Sequence, residues 1–248
     1  MKQINSLLII FLTWSGFIFS QTKDTVPAPF HWNVISINPT PAFLFDNLKN
    51  ITLRYERLVK PNQSFLVQLG YLELNPIFGD SVGGFIDIRR VSDYGLNAAF
   101  DYRFYPLRRN QYPAPDGLYL GPYLSYYGFK YKDEFAYFPD DTVNAYGSYS
   151  STYHLVNLGF MIGYQFIFWK RLSVDLLIFG PSLTYMVSNW TVSDNLPDEE
   201  EEELIKEIKE KFNEKYPLLV PFIEPNDGKE STSFRMFFRY SISFGFHF

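Results

Sequence analysis

Apolar side chains recur at every second position along most of this chain, and a period of two belongs to an extended strand. The longest run closes the sequence: Phe234, Met236, Phe238, Tyr240, Ile242, Phe244, Phe246 and Phe248 alternate with Arg235, Phe237, Arg239, Ser241, Ser243, Gly245 and His247. Val156, Leu158, Phe160, Ile162, Tyr164, Phe166 and Phe168 alternate in the same way with Asn157, Gly159, Met161, Gly163 and Gln165. Shorter runs cover Ile51–Tyr55, Phe65–Tyr71, Tyr94–Phe104 and Leu172–Ile178. In the last of these Phe179 reads as part of the polar face. The pattern predicts eight strands, at about 31–45, 50–59, 63–74, 93–105, 118–131, 152–168, 171–187 and 233–248. Pro39 and Pro41 break or bulge the first of them. Phe85–Val91 either extends the fourth strand or forms a separate one, which takes the count to ten.

The connections divide into two classes. At one end they are 60–62, 106–117 and 169–170. At the other they are 46–49, 75–92, 132–151 and 188–232. Mostly tight turns on one side and long loops on the other is the asymmetry of a barrel that crosses a membrane.

Alternation alone leaves open which face is outside. A soluble barrel turns its apolar face inward around a ligand; a membrane barrel turns it outward to lipid. The apolar faces here are uninterrupted and heavily aromatic, with 26 Phe and 19 Tyr in the chain. The opposite faces carry Arg54, Glu56, Asp101, Arg103, Asp175 and Arg239 among Gly, Asn and Ser. Charges of both signs suit a narrow, filled, polar interior, where they must pair. These six are the candidate lumen ion-pair core. The expected fold is an all-β, closed, antiparallel, up-and-down transmembrane β-barrel of eight strands, with a helix in the last external loop.

The chain start reads as an export signal. Lys2 precedes an apolar stretch from Leu7 to Phe19 and a small residue, Ser20. Residues 1–20 are the expected signal peptide and 21–248 the barrel domain. No cysteine is present, which excludes disulfides, thiolate metal sites, cysteine nucleophiles and a lipidated N-terminal cysteine. The net charge of −5 argues against nucleic acid as a partner.

Several stretches together resemble a family of small outer-membrane β-barrel proteins of unknown function from Gram-negative bacteria. They are NVISINPTPAFLF, ITLRYERLV, LNAAFDYRFYPL, APDGLYLGPYLSYYGFKY, NLGFMIGYQFIFWKRLSVDLLIFGPS and SISFGFHF. The resemblance implies the fold and an outer-membrane location, with lipid and the barrel-assembly machinery as partners. It supplies no functional residues. Phe248, an aromatic residue ending an alternating strand, resembles the assembly signal of outer-membrane proteins.

Catalytic motifs are absent. His31, His154 and His247 lie at no metal-ligand spacing, and neither H-E-x-x-H nor G-x-S-x-G occurs. Ser150 and Ser151 stand near His154 in sequence, which is not a triad. The expected protein is not an enzyme and needs no cofactor or metal. Its role is structural or lies in surface binding through external loops. A lipid-modifying or proteolytic barrel enzyme is the alternative, or a small pore if the strand count is higher. Within 188–232, the stretch NLPDEEEEELIKEIKEKFNEKYPLL has the capping, charge placement and spacing of an acidic amphipathic helix. Its apolar face is Leu204, Ile208 and Phe212, which either packs as a solvated lid over the barrel mouth or is a docking site for a protein partner or surface ligand.

Overall fold

A computed structural model describes residues 31–44, 47–73, 81–82, 86–106, 112–137, 145–194, 206, 210 and 231–248. The strands are β1 (Asn33–Asn38), β2 (Thr52–Lys60), β3 (Gln63–Leu72), β4 (Ser81–Val82), β5 (Ile86–Phe104), β6 (Gly117–Tyr137), β7 (Ala145–Phe168), β8 (Leu172–Asp194) and β9 (Ser231–His247). A short helix, α1 (Thr40–Leu44), follows β1. The sheet order is β3-β2-β1-β9-β8-β7-β6-β5-β4, and β3 also pairs with β5. That last pairing closes a ring of eight antiparallel strands, with the two-residue β4 attached outside it.

The registers fix the stagger of the ring. Stepping across paired residues from Phe244 passes Ile37, Leu53, Leu69, Ala98, Tyr126, Val156 and Tyr185. It returns to β9 at Phe234, ten residues along the strand from Phe244. A stagger of that size tilts the strands by roughly 40° from the barrel axis and leaves a bore that side chains fill. The seam is sealed by Asn33 and Phe248, whose backbone amides each donate to the other's carbonyl, at 3.1 and 2.9 Å.

Facing follows the alternation. Leu53, Leu69, Phe100, Leu124, Leu158, Phe160, Phe238, Ile242 and Phe244 are exposed on the outside. Arg54, Gln68, Asn97, Asp101, Arg103, Asn157, Gln165, Asp175 and Ser243 are buried within. Phe179 departs from the expected face. A bulge at Ile178–Phe179 turns both side chains outward and shifts the register with β7 and β9. The extra residue reverses the phase of β8 above it, so that Gly180, Ser182 and Thr184 point inward.

The first strand is shorter than expected. It stops at Asn38, and 40–44 is helical rather than extended. Neither Pro39 nor Pro41 can donate to a ladder. Instead the Asn38 carboxamide accepts from the Thr40 amide at 3.0 Å, and the Pro39 carbonyl accepts from Ala42 at 2.9 Å. The second group of strands is longer than expected. Residues 86–92 extend β5, so the ring holds eight strands and not ten. The connections read as 132–151 and 188–232 shrink to 138–144 and 195–230, because β6, β7 and β8 continue upward. Nine to eleven tilted residues suffice to cross a bilayer. β5 to β8, at 19 to 24 residues, therefore rise well above the level where β2 and β3 end.

At the opposite, lower end the turns are tight. Arg171 donates to the Phe168 carbonyl at 3.1 Å across Trp169 and Lys170, whose φ angles are 49° and 65°. Both central residues in the left-handed region make a type I′ hairpin, which normally selects Asn-Gly. Lys170→Gly is expected to stabilise the barrel by roughly 0.5–1 kcal/mol, seen as a higher urea midpoint. Trp169 in this turn is 82% exposed.

Candidate functional site: the polar interior

The lumen begins with residues that the strands must turn inward. Arg54 and Glu56 come from β2, Asp101 and Arg103 from β5, Asp175 from β8 and Arg239 from β9. Three positive and three negative groups balance, and all are buried. The structure draws the six together in two linked groups.

Asp175 is the centre of the first. One of its oxygens accepts from Arg54 Nη2 at 2.6 Å and from Arg103 Nη2 at 2.9 Å. The other accepts from the Tyr119 hydroxyl at 2.7 Å. Arg54 also donates to the Ser243 hydroxyl. Glu56 accepts from Ser64 at 2.5 Å, from Tyr105 at 2.6 Å and from Arg103 Nη1 at 3.3 Å. The Arg103 guanidinium lies 4.0 Å above the Tyr119 ring centre, where the ring face attracts a cation.

Asp101 and Arg239 make the second group. They form a two-pronged pair with contacts of 2.6 and 3.3 Å, and Arg239 donates to Gln68 at 3.3 Å. Arg103, 3.8 Å from Asp101, joins the groups. Above them lie neutral layers. Gln68 donates to Asn97 at 3.1 Å, Thr184 to Asn157 at 2.6 Å, and Asn157 to Ser125 at 3.1 Å.

Sequence reasoning missed the tyrosines. Tyr119 and Tyr123 face Gly163 and Gly159 directly across the β6–β7 ladder. A Cβ at Gly163 would overlap the Tyr119 hydroxyl, and one at Gly159 would come within 2.7 Å of the Tyr123 ring. The glycines thus provide the space into which the rings fold across the bore. Tyr123 donates to the Gly180 carbonyl at the β8 bulge, at 2.7 Å. The readable signal was the pairing of inward Tyr with inward Gly on neighbouring strands. It needed the register, which periodicity does not supply. Packed against the charges, Leu58, Tyr105, Ala114, Tyr119, Tyr123, Met161 and Leu177 form a buried cluster.

Outside the strands, polar contacts also order the connections. In the lower turn, Asp116 accepts from the amides of Tyr112 at 3.0 Å and Ile167 at 3.1 Å. Burial raises its carboxyl above the usual value, against the pull of those two amides. At the upper end, Lys49 and Glu73 pair at 2.8 Å. Their hydrogen bond raises Lys49 and lowers Glu73.

His247 is buried at the lower end of the bore, close enough to His31 to feel its charge. His154 stands apart on the outer face, with its Nδ1 2.7 Å from the Tyr126 hydroxyl. Ser151 points inward, away from His154. Among the described residues no group of three or more His, Asp or Glu could hold a metal ion. Phe248 is half-exposed beside Asn33 at the seam. Leu204, Ile208 and Phe212, like residues 1–20, lie outside the described residues, where only Lys206 and Glu210 of the acidic stretch are seen, both helical.

No protein-family model matches the chain, and no curated protein matches it. Among solved structures, it is similar to the crystal structure of a major outer membrane protein from Thermus thermophilus. The two share 10% identity with a TM-score of 0.34, over 88% of this chain and 98% of that one.

Proposed function

We propose that this protein is a non-enzymatic β-barrel of a Gram-negative outer membrane, with a structural or binding role at its upper, external rim. The observation that carries the reading is the inversion of the barrel: apolar outside, charged and filled inside. In water, such an outer surface would drive aggregation, because contiguous apolar patches of this extent mark contact with a partner or a membrane. In lipid, every backbone group must be paired within the protein, and a closed antiparallel ring meets that demand.

The outer face also marks the level of the bilayer. Along β6, Leu118, Leu120, Leu124 and Tyr126 give way to Lys130, Lys132 and Glu134. Along β7, Phe168 to Val156 give way to His154, Thr152 and Ser150. Tyr71, Tyr94, Tyr126 and Tyr185 stand near that upper change, and Phe168, Trp169 and Phe246 near the lower one. Aromatic girdles flank an apolar band in this way in membrane barrels.

Every charged group of the lumen network has a charged partner, so this network offers no free base, nucleophile or ion path, which supports a non-catalytic, non-conducting role. The partners that this reading implies are outer-membrane lipid, the assembly machinery during insertion, and a protein at the external rim. Cell fractionation should recover the chain in the outer membrane, and unboiled samples should migrate faster than boiled ones on a denaturing gel. Recovery in the soluble periplasm overturns the reading. Planar-bilayer recordings should show no stable conductance; a large steady current would replace it with a pore.

A further inference from the structure

Among the described residues the ring is complete only in its lower part. β1 pairs with β9 through Val34–Ile37 and Phe244–His247, and then leaves the sheet at Asn38. β9 continues upward for another thirteen residues to Ser231, paired with β8 on one side. Its other edge has a fixed parity. The amide and carbonyl of Phe248 face Asn33, and those of Ile242 face the Thr40 hydroxyl, at 2.9 and 3.3 Å. Residues two apart on a strand direct their backbone groups to the same side. Tyr240, Phe238, Met236 and Phe234 therefore aim four amides and four carbonyls at the place where β1 is missing. The opposite pairing agrees: Phe238 stands across from Pro181, which has no amide to donate. Among the described residues no strand pairs with this edge.

The edge lies beside lipid. Phe238, Met236 and Phe234 neighbour Pro181, Leu183 and Tyr185 on the outer apolar face. Backbone groups left unpaired in hydrocarbon are strongly unfavourable. The surrounding side chains are also unusually bare. Leu48 is 80%, Phe43 76%, Met236 72% and Phe234 67% exposed, and Trp169 is the one other large apolar side chain above 65% among the described residues. Phe234 and Met236 lie on this stretch of β9, Phe43 on α1, which contacts β9, and Leu48 in the turn after it.

We propose that the upper edge of β9 is a docking site for an extended, amphipathic strand of a partner protein, added to the sheet as its next member. The site rests on the membrane-barrel reading above, and it continues the β1–β9 ladder already in place. Only a polypeptide strand supplies donors and acceptors at the spacing of alternate β-residues; an acyl chain supplies neither. The strand must run antiparallel to β9, as β1 does, from the lower side upward. Its residues opposite Phe238, Met236 and Phe234 face lipid and are apolar. A second copy of this chain fits poorly. In the same membrane its β9 runs parallel to the first, and a twofold axis between them sets amide against amide.

The test uses the full chain, folded in detergent micelles, and a synthetic peptide of alternating valine and threonine as the probe. Amide hydrogen exchange is read residue by residue. Without peptide, the amides of Phe234, Met236, Phe238 and Tyr240 should exchange fast while those of Phe237 and Arg239 stay protected. Peptide should slow the first set at least about tenfold. Phe238→Pro removes one edge-facing amide and none from the β8 ladder, so the barrel should stay folded and lose peptide protection. Four results overturn the proposal. The even-numbered amides are already protected without peptide, as when the chain covers its own edge. Protection appears only as protein concentration rises, as for a second copy. Peptide slows nothing. Phe238→Pro leaves peptide protection intact. Loss of fractionation to the outer membrane would sink the barrel's location without touching these exchange patterns.

Discussion

Asp175→Ala should be among the most damaging single substitutions in the barrel, lowering its stability by about 3–5 kcal/mol. The carboxylate accepts from Arg54, Arg103 and Tyr119, all of them buried. Arg103 keeps Glu56 and a distant Asp101 when Asp175 is removed. Arg54 keeps only the Ser243 hydroxyl, so its charge is left buried and uncompensated. The cost comes from stranding that charge, not from the worth of the pair. Adding Arg54→Met to Asp175→Ala should therefore restore a large part of the lost stability. Urea unfolding in detergent, followed by the gel shift between folded and unfolded forms, measures both variants. If the single variant unfolds at the wild-type urea concentration, or the double variant is worse than the single one, the network is not what holds the interior.

Gly163→Ala should cost about 2–4 kcal/mol by a different route. The new methyl group would overlap Tyr119 and come within 2.6 Å of the Leu176 carbonyl. A flexible side chain could move aside, but the Leu176 contact is backbone on a paired strand. Displacing Tyr119 removes its bond to Asp175 and its ring from beneath Arg103. Near-ultraviolet circular dichroism should weaken along with the urea midpoint, because packed tyrosines lose their fixed setting. Tyr119→Phe in the same assay should cost less, since the ring stays beneath Arg103 and only the hydroxyl is lost. Equal losses for the two variants would contradict this account.

Period-two alternation determined which residues face lipid, and from that followed the barrel, its antiparallel order and the inward set of charges. Those charges were legible because the hydrocarbon imposes a strict pattern on one face and burial demands pairing on the other. The partners were not legible. Arg103 touches Glu56 and Asp175 through the stagger of the ring, and Tyr119 reaches Asp175 because Gly163 stands opposite it. Each depends on register, which a local repeat does not contain. The strand ends failed for a related reason. Above the apolar band, segments such as KYKDEF and SYSST meet water on their outer side, so no apolar outer stripe imprints alternation on them. What keeps them extended is the ladder to neighbouring strands. The sequence by itself thus determined the part of the wall in contact with lipid, where each position answers to its solvent. The tertiary structure decided the pairing inside the bore, the phase change at Ile178–Phe179, the rise of β5–β9 and the edge of β9 that no described strand covers. All four follow from how strands meet one another, which is set by the closure of the ring.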